Sequence, residues 1–280
     1  MTYEAREISS FGGAPISFYE IEWGNTVWRY TSAETDQELT INSVLRTFTA
    51  IAIKDSGMTQ GGSSNNDLTI TAPFDIPLTD LFHSTPPSDE IRITVRRAHE
   101  GDPEAFIHWK GFLRNVKRAE DNTSIEINGF SILAMFESQG LRLAWTRGCP
   151  HILYDGECRV DPEAFGYETE IVSLTGNSIT VADIDPSAAL IDGYFTGGYI
   201  EWEANEDGTL DRRGIMASTS PIEFVLLGTT YRLEAGMTIR LYPGCDLTTQ
   251  TCDEKFNNLA NYGGIEQMTG KNPFDGTAIV

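Results

Sequence analysis

Basic residues are scarce in this chain. Across 280 residues, 20 Lys and Arg stand against 41 Asp and Glu, a formal net charge of −21. Such a surface repels nucleic acid and anionic membranes, and the expectation is no specific nucleic-acid binding. The excess reads either as a solubility device or as a surface that lies near DNA without adhering. Long hydrophobic runs are also missing: no stretch approaches the roughly 20 apolar residues of a membrane helix. The opening segment, Met1 to Glu7, has no basic leader, apolar core or cleavage site, which predicts synthesis in a reducing cytosol. Histidine is limited to His83, His99, His108 and His151, and no Ser or Cys has an identifiable His and acidic partner. There is no Gly-x-Ser-x-Gly elbow, no Gly-Lys-Ser/Thr phosphate loop and no dinucleotide fingerprint. The expectation is therefore a chain that is not an enzyme. Glu203 to Asp207 followed by Gly208 has the outline of a calcium loop. It carries Glu at the first position and Gly214 where a bidentate Glu is needed, so it reads as an acidic turn.

Cysteine is sparse too, but it is not scattered. Cys149 and Cys158 are separated by eight residues (150–157), and Cys245 and Cys252 by six (246–251). The first pair brackets a turn that bears Pro150 and Gly156, and the second follows directly on Pro243-Gly244. Four thiolates on two loops can hold a zinc ion or an iron–sulfur cluster. In a reducing compartment clustered cysteines read first as metal ligands. Two disulfides, or four unrelated buried thiols, are the alternatives. Zinc ribbons favour about two to four intervening residues, and the wider spacing here suits a bulkier iron–sulfur cube. His151, two residues after Cys149, is a further candidate ligand. It reads more readily as a hydrogen-bond partner of the loop or the sulfurs.

The rest of the chain reads as mainly β. Hydrophobic residues make up 40 % of it, enough for a real core, and its length suggests two domains. Leu68, Ile70 and Ala72 alternate with polar residues, as do Ile91, Ile93 and Val95, and Ile125 and Ile127. This period of two predicts strands with one buried face. Further strands are predicted over 16–23, 27–31 and 47–53, with a loop at Gly61 to Asn66. A short helix is predicted over 76–82, capped by Asp75 with Pro77 in its first turn. Another is predicted over 130–137, ending near Gly140.

Between the cysteine pairs lies a second β unit. A hairpin is predicted from 168–174 and 178–182, turning at Thr175-Gly176-Asn177. Strands follow over 194–202, 213–218, 222–227 and 237–241, with Gly197 and Gly198 allowing a bulge or a close approach. These complete a small barrel or sandwich. A C-terminal helix is predicted over 253–262, capped by Asp253 and ended by Gly263-Gly264. The expected domains are an N-terminal β-rich domain (1–143), the first cysteine-pair segment (144–164) and the inserted β-barrel or sandwich (165–242). The second cysteine-pair segment with the C-terminal helix (243–280) packs with 144–164. Pro150 and Pro243 stiffen the cysteine loops, and Gly148, Gly156 and Gly244 are expected to permit their turns.

The cysteine segments carry a resemblance. They read Cys-Pro-His-x-Leu-Tyr-x-x-x-Cys from Cys149, then Tyr-Pro-Gly-Cys-Asp from Tyr242. Cys-x-x-Lys-Phe-Asn-Asn-x-x-Asn-Tyr-Gly-Gly follows from Cys252, and Gly-Lys-Asn-Pro-Phe from Gly270. Together they resemble the tail hub (baseplate hub) proteins of long-tailed phages and gene transfer agents, which include proteins similar to tail tip protein L of lambda-like phages. Leu68 to Pro73, Pro86-Pro87-Ser88, His99 to Glu104 and Trp109-Lys110-Gly111 support it. The resemblance implies a homotrimeric β-rich hub at the distal end of the tail tube. Each subunit would hold one [4Fe–4S] cluster through Cys149, Cys158, Cys245 and Cys252, as cofactor-binding and metal-ligating residues together. The implied partners are the distal tail protein, the central fibre or receptor-binding protein and, as a further neighbour, the tape measure protein. The implied location is the virion tail tip, after assembly in the bacterial host cytoplasm. A redox or oxygen-sensing iron–sulfur protein is the alternative reading.

Overall fold

A computed structural model describes residues 15–57, 67–99, 105–120, 122–137, 145–182, 184 and 193–268. The chain is mainly β and divides into two compact units. The first comprises Met1–Ser138 with Glu203–Asp211; the second comprises Gln139–Trp202 with Arg212–Val280. The predicted loop at 61–66, the motif pieces at 100–104 and 270–274, and Gly140 lie outside the described residues.

The first unit is built on a nine-stranded sheet in the order β3-β4-β2-β1-β7-β8-β9-β6-β5. Its strands are β1 (Pro15–Trp23), β2 (Thr26–Thr31), β3 (Gln37–Ile41), β4 (Val44–Ala50), β5 (Lys54–Asp55), β6 (Leu68–Pro73), β7 (Arg92–His99), β8 (Phe106–Arg118) and β9 (Ser124–Ser131). In β6 and β9 burial alternates as predicted, with Leu68, Ile70, Ala72, Ile125 and Ile127 inward. The alternation at Ile91 to Arg96 also predicts one buried face, but β7 is buried on both. It lies mid-sheet beside β1, whose two faces feed two cores. Tyr19, Ile21 and Trp23 join one cluster, while Ile16 and Phe18 join the other with Leu39, Phe48 and Ala98. Glu20 continues the second face and is buried. It is satisfied by Arg29 Nε at 2.8 Å, Arg46 Nη1 at 2.6 Å and Arg96 Nη1 at 3.3 Å.

β3, β5 and β8 are not foreseen by hydrophobic alternation. β8 has register shifts against both neighbours, so its apolar residues do not keep one period. Its Trp109 ring occupies space left by two glycines: a Cβ on Gly111 or Gly129 would meet the ring at 2.5 and 2.8 Å. The β3–β4 turn uses Asn42 and Ser43 at φ 51° and 65°, a two-residue turn matched to the twist of a hairpin.

The helices differ more from expectation. The first, α1 (Pro77–Leu81), has Pro77 in its first turn as predicted, but its N-cap is Ile76 and no side chain caps it. Over 130–137 the chain is not one helix. Phe130 and Ser131 complete β9, and Ile132–Glu137 forms a 3₁₀ turn. The acidic turn at 203–208 is a hairpin tip with Gly208 at φ 78°. Thr209 Oγ1 there accepts the N–H groups of Asn25 and Thr26 at 3.0 and 3.1 Å.

The second unit holds a closed barrel in the order β10-β11-β14-β13-β12-β15. Its strands are β10 (Tyr167–Thr175), β11 (Ser178–Val181), β12 (Tyr199–Glu203), β13 (Leu210–Ser220), β14 (Glu223–Leu226) and β15 (Thr238–Tyr242). The predicted hairpin turn holds, with Gly176 at φ 64°. Inward residues such as Ile171, Ile179, Phe195, Ile200, Phe224, Ile239 and Leu241 are almost wholly buried. β12 begins five residues later than predicted (Tyr199, not 194) because 193–197 forms turns before it. The glycine pair provides the expected close approach: a Cβ on Gly198 would strike Tyr242 O and lie 2.8 Å from Gly244 N.

Candidate functional site

The four cysteines come together. Cys149, Cys158, Cys245 and Cys252 all line one pocket in the second unit, with His151, Leu247, Phe256 and Asn258 among its other walls. All four are free thiols; Cys252 is buried and the other three are half-buried. Burial pushes the thiols of Cys245 and Cys252 up. Each also feels the charge of cysteines from the other pair, which raises it further. Among the described residues, no group of three or more His, Cys, Asp or Glu side chains is gathered tightly enough for a single metal ion.

The first cysteine loop is organised by Asp155. Its carboxylate accepts the N–H groups of Ile152, Glu157 and Cys158 at 3.1, 2.9 and 2.6 Å. The Cys158 bond leads in holding this carboxyl below the usual range, against the opposing effect of burial. Tyr154, at φ 70°, turns its ring inward, and its hydroxyl donates to Pro243 O at 3.0 Å. Its ring meets Tyr199, Tyr242 and Phe256 edge-on at 6.1 to 6.3 Å. Burial, followed by neighbouring tyrosines, pushes the Tyr154 phenol far up, so it remains a neutral donor. One aromatic side chain thus joins the first loop to the second and to the barrel wall.

The second loop joins the first directly, with Cys149 N donating to Leu247 O at 2.9 Å. Asp246 Oδ1 accepts from Thr248 N and Oγ1 at 3.0 and 2.7 Å. Thr248 then caps helix α2 (Thr249–Glu254), its hydroxyl accepting from Thr251 N at 3.2 Å. This corrects the helix predicted over 253–262. Asp253 lies inside the helix, and the true cap is a threonine five residues earlier. The helix stops because Asn257 takes φ 47°, turning its own N–H and that of Asn258 back to Asp253 O and Cys252 O. A separate 3₁₀ turn, Leu259–Asn261, follows. Cys252 is therefore presented by a helix, whereas the other three cysteines sit on loops.

Two side chains lock the loops from behind. Lys255 Nζ donates to Tyr194 O and Gly244 O at 2.5 and 2.6 Å and lies 4.2 Å from the Tyr194 ring centre. Burial lowers its pKa to about 8, while Cys245 and Asp246 pull it back up. Asn258 Nδ2 donates to Cys158 O at 2.6 Å and reaches Cys158 Sγ at 3.8 Å. Leu247 N donates to Cys245 Sγ at 3.4 Å.

The loop glycines act differently from expectation. Gly148, Gly156 and Gly244 are not at positive φ; the left-handed positions are Tyr154, Arg159 and Leu247, at 70°, 60° and 65°. Gly244 serves close approach instead, since a Cβ there would strike Thr196 O and the Gly197–Gly198 backbone. Gly156 faces open space.

His151 also departs from expectation. It lines the pocket, yet its Nδ1 is buried and bonds neither the loop nor a cysteine sulfur. A buried polar atom left without a partner costs about 1–3 kcal/mol.

Hydrophobic periodicity does not flag Tyr154, Asp155, Lys255 or Asn258 as supports of the site. Three of them, Tyr154, Lys255 and Asn258, fall on motif positions spaced from a cysteine. Asp155, before Gly156, fits the Asp-Gly pattern of a side-chain-closed turn.

Comparison with known proteins bears on both the fold and this site. A protein-family model described as "Phage conserved hypothetical protein BR0599" matches residues 193–272, a span that contains Cys245 and Cys252. No curated protein matches the chain. Among solved structures, a chain from "Virion of native gene transfer agent (GTA) particle" is 18 % identical with a TM-score of 0.75. The match covers 99 % of this chain and 96 % of that one, so the two share a fold from end to end.

Proposed function

We propose that this chain is a structural protein of a phage or gene-transfer-agent virion, serving without catalysis as the tail hub. The observation that carries this reading is the fold match to a chain of a gene transfer agent virion over 99 % of the present chain. The phage family model over residues 193–272 supports it independently. In the finer form of the proposal, the hub is a homotrimer at the tail tip. It joins the distal tail protein to the central fibre or receptor-binding protein, with the tape measure protein adjacent.

The donor set fits a [4Fe–4S] cluster held by Cys149, Cys158, Cys245 and Cys252. Four thiolates share one pocket, but none are grouped for a single ion. The orphaned Nδ1 of His151 in the same wall lacks a partner that a sulfur-rich group would supply. When bound, the cluster would supply a covalent crosslink among two loops and a helix, and its binding energy would be folding energy for them. The protein's own contribution is to bring the ligands together. Asp155 shapes the first loop, Lys255 and Tyr154 fasten the second, and the Thr248 cap sets the helix that bears Cys252. Domain boundaries follow the same logic, with 144–164 and 243–280 forming one cluster-binding segment around the inserted barrel of 165–242.

Iron and acid-labile sulfide on anaerobically purified protein test the site: about four of each per chain are expected. Zinc at one per chain, or neither metal nor sulfide, would overturn the cluster. Antibody labelling of intact particles tests the hub, with label expected at the tail tip and not at the capsid. The redox alternative draws on one feature, the partial exposure of three cysteines. It requires a cluster that cycles reversibly in intact particles and whose redox state changes their function.

A further inference from the structure

We propose that His151 is a positioning residue for the cluster, donating the N–H of Nδ1 to one of its sulfur atoms. This deepens the cluster reading and rests on it. Three observations converge. His151 lines the pocket shared by the four cysteines. Its Nδ1 is buried and has no hydrogen-bond partner among the described residues. The ring is also held in place: a Cβ on Gly263 would strike His151 Nε2 and lie 2.9 Å from both Cδ2 and Cε1, so the ring rests in a space that only glycine at 263 leaves open.

The pocket already directs other donors at sulfur. Leu247 N reaches Cys245 Sγ at 3.4 Å, and Asn258 Nδ2 reaches Cys158 Sγ at 3.8 Å. His151 extends this set to a sulfur the protein itself does not contain. Buried polar groups in native proteins nearly always have a partner, so an unpartnered donor in a pocket wall points to the group that fills the pocket. Four thiolates complete the ligand set of a cubane, which leaves the imidazole the role of donor and not of ligand. Hydrogen bonds to cluster sulfurs withdraw electron density and favour the reduced, more negatively charged state.

The test uses the full chain, purified anaerobically, at one fixed pH. His151→Phe removes the donor and keeps a ring of similar size. It is expected to retain the wild-type iron and sulfide content, and its midpoint potential is expected to fall below that of wild type. An unchanged potential in a fully loaded variant would overturn the proposal. Pulsed EPR of the reduced wild-type protein labelled with ¹⁵N-histidine gives an independent reading. A weak ¹⁵N coupling is expected, and it should vanish in His151→Gln. No coupling would refute the donor role, and the strong coupling of a directly bonded nitrogen would make His151 a ligand instead. If His151→Phe fails to fold or load, the wild-type EPR result decides alone. Wild-type protein without iron and sulfide would instead overturn the cluster reading itself, a separate and recognisable outcome.

Discussion

Glu20 shows how one residue's position in a strand decides its energetics. It lies on the even-numbered face of β1, two residues beyond Phe18, where the strand is covered on both sides. The register places Arg29 directly opposite it on β2. Arg96 lies on β7 opposite Phe18. Burial alone would raise the carboxyl's pKa. The bonds from Arg29 and Arg46, with the charges of Arg96 and Arg46, outweigh this and hold it below its ordinary value of 4.5. The sign follows from proton counting. Just below pH 4.5 the unfolded chain binds a proton that the folded chain refuses. Stability from this group is therefore present above that pH and lost as pH falls through the lowered folded value. Glu20→Gln leaves three guanidinium groups facing one another and is expected to cost about 3 kcal/mol, the lower end for breaking a buried pair, because Arg29 and Arg46 are partly exposed. Urea denaturation at neutral pH checks the cost. Repeating it in acid should show a shallower pH dependence than wild type, and an unchanged slope would mean that Glu20 does not titrate as described.

At the scale of elements, legibility in the sequence follows how local the causes are. β6, β9 and β11 alternate cleanly because each has one buried face; β10 alternates only as far as Ile171, where its register shifts against β11, and is found through its hairpin turn. β8 is hidden because its bulges reset the period and because Trp109 is seated by glycines on two strands. The misplaced C-terminal helix has a different cause. Asp253 and Thr248 are both good capping residues in isolation, and Asp246 decides between them by fixing Thr248. The four cysteines are legible as the chemistry-bearing residues, and the structure brings them to one pocket. Their supports are less so: Tyr154 and Lys255 act through contacts distant in sequence, whereas Asp155 closes its loop through residues two and three positions away and is flagged only by its Asp-Gly step. The glycines give a paired test of this view. Gly244→Ala forces apart the 196–198 turn and the Cys245 loop and is expected to destabilise the second unit by about 1–3 kcal/mol. Gly156→Ala, facing open space, is expected to lie within about 0.5 kcal/mol of wild type. Thermal or denaturant unfolding of the two variants side by side checks the contrast, and equal effects would refute the close-approach account.

On the scale of the whole molecule, the cysteines predict how the chain behaves in assembly. If the four cysteines hold a cluster in a tail hub, as proposed, replacing any one by Ser is expected to lower soluble protein and tail yield while the first unit keeps its fold, because metal-binding energy stabilises only the segments that carry the ligands. Circular dichroism, limited proteolysis and particle counts would check this; normal infectious tails from all four variants would show the cluster to be dispensable.

Net charge acts at the same scale. Each chain carries −21; the proposed homotrimer would concentrate three such charges around one axis, and self-repulsion on that order would require either a counterpart or a use. If the hub surrounds the channel through which DNA leaves, carboxylates on the inner wall would keep the duplex from adhering. Phosphate binding depends on Lys and Arg contacts, and a wall without them offers none. The competing account spreads the charge over the outer surface, where it serves solubility alone. The two differ in where the acid sits and not in how much there is. The channel account expects an assembled particle, resolved by cryo-electron microscopy, to show Asp and Glu outnumbering Lys and Arg along the lumen. It also expects that reversing several lumen carboxylates to Lys slows DNA ejection at low salt and that added salt relieves the delay, since screening weakens phosphate contacts first. A neutral or basic lumen in the wild-type particle would refute the channel account, whatever the net charge.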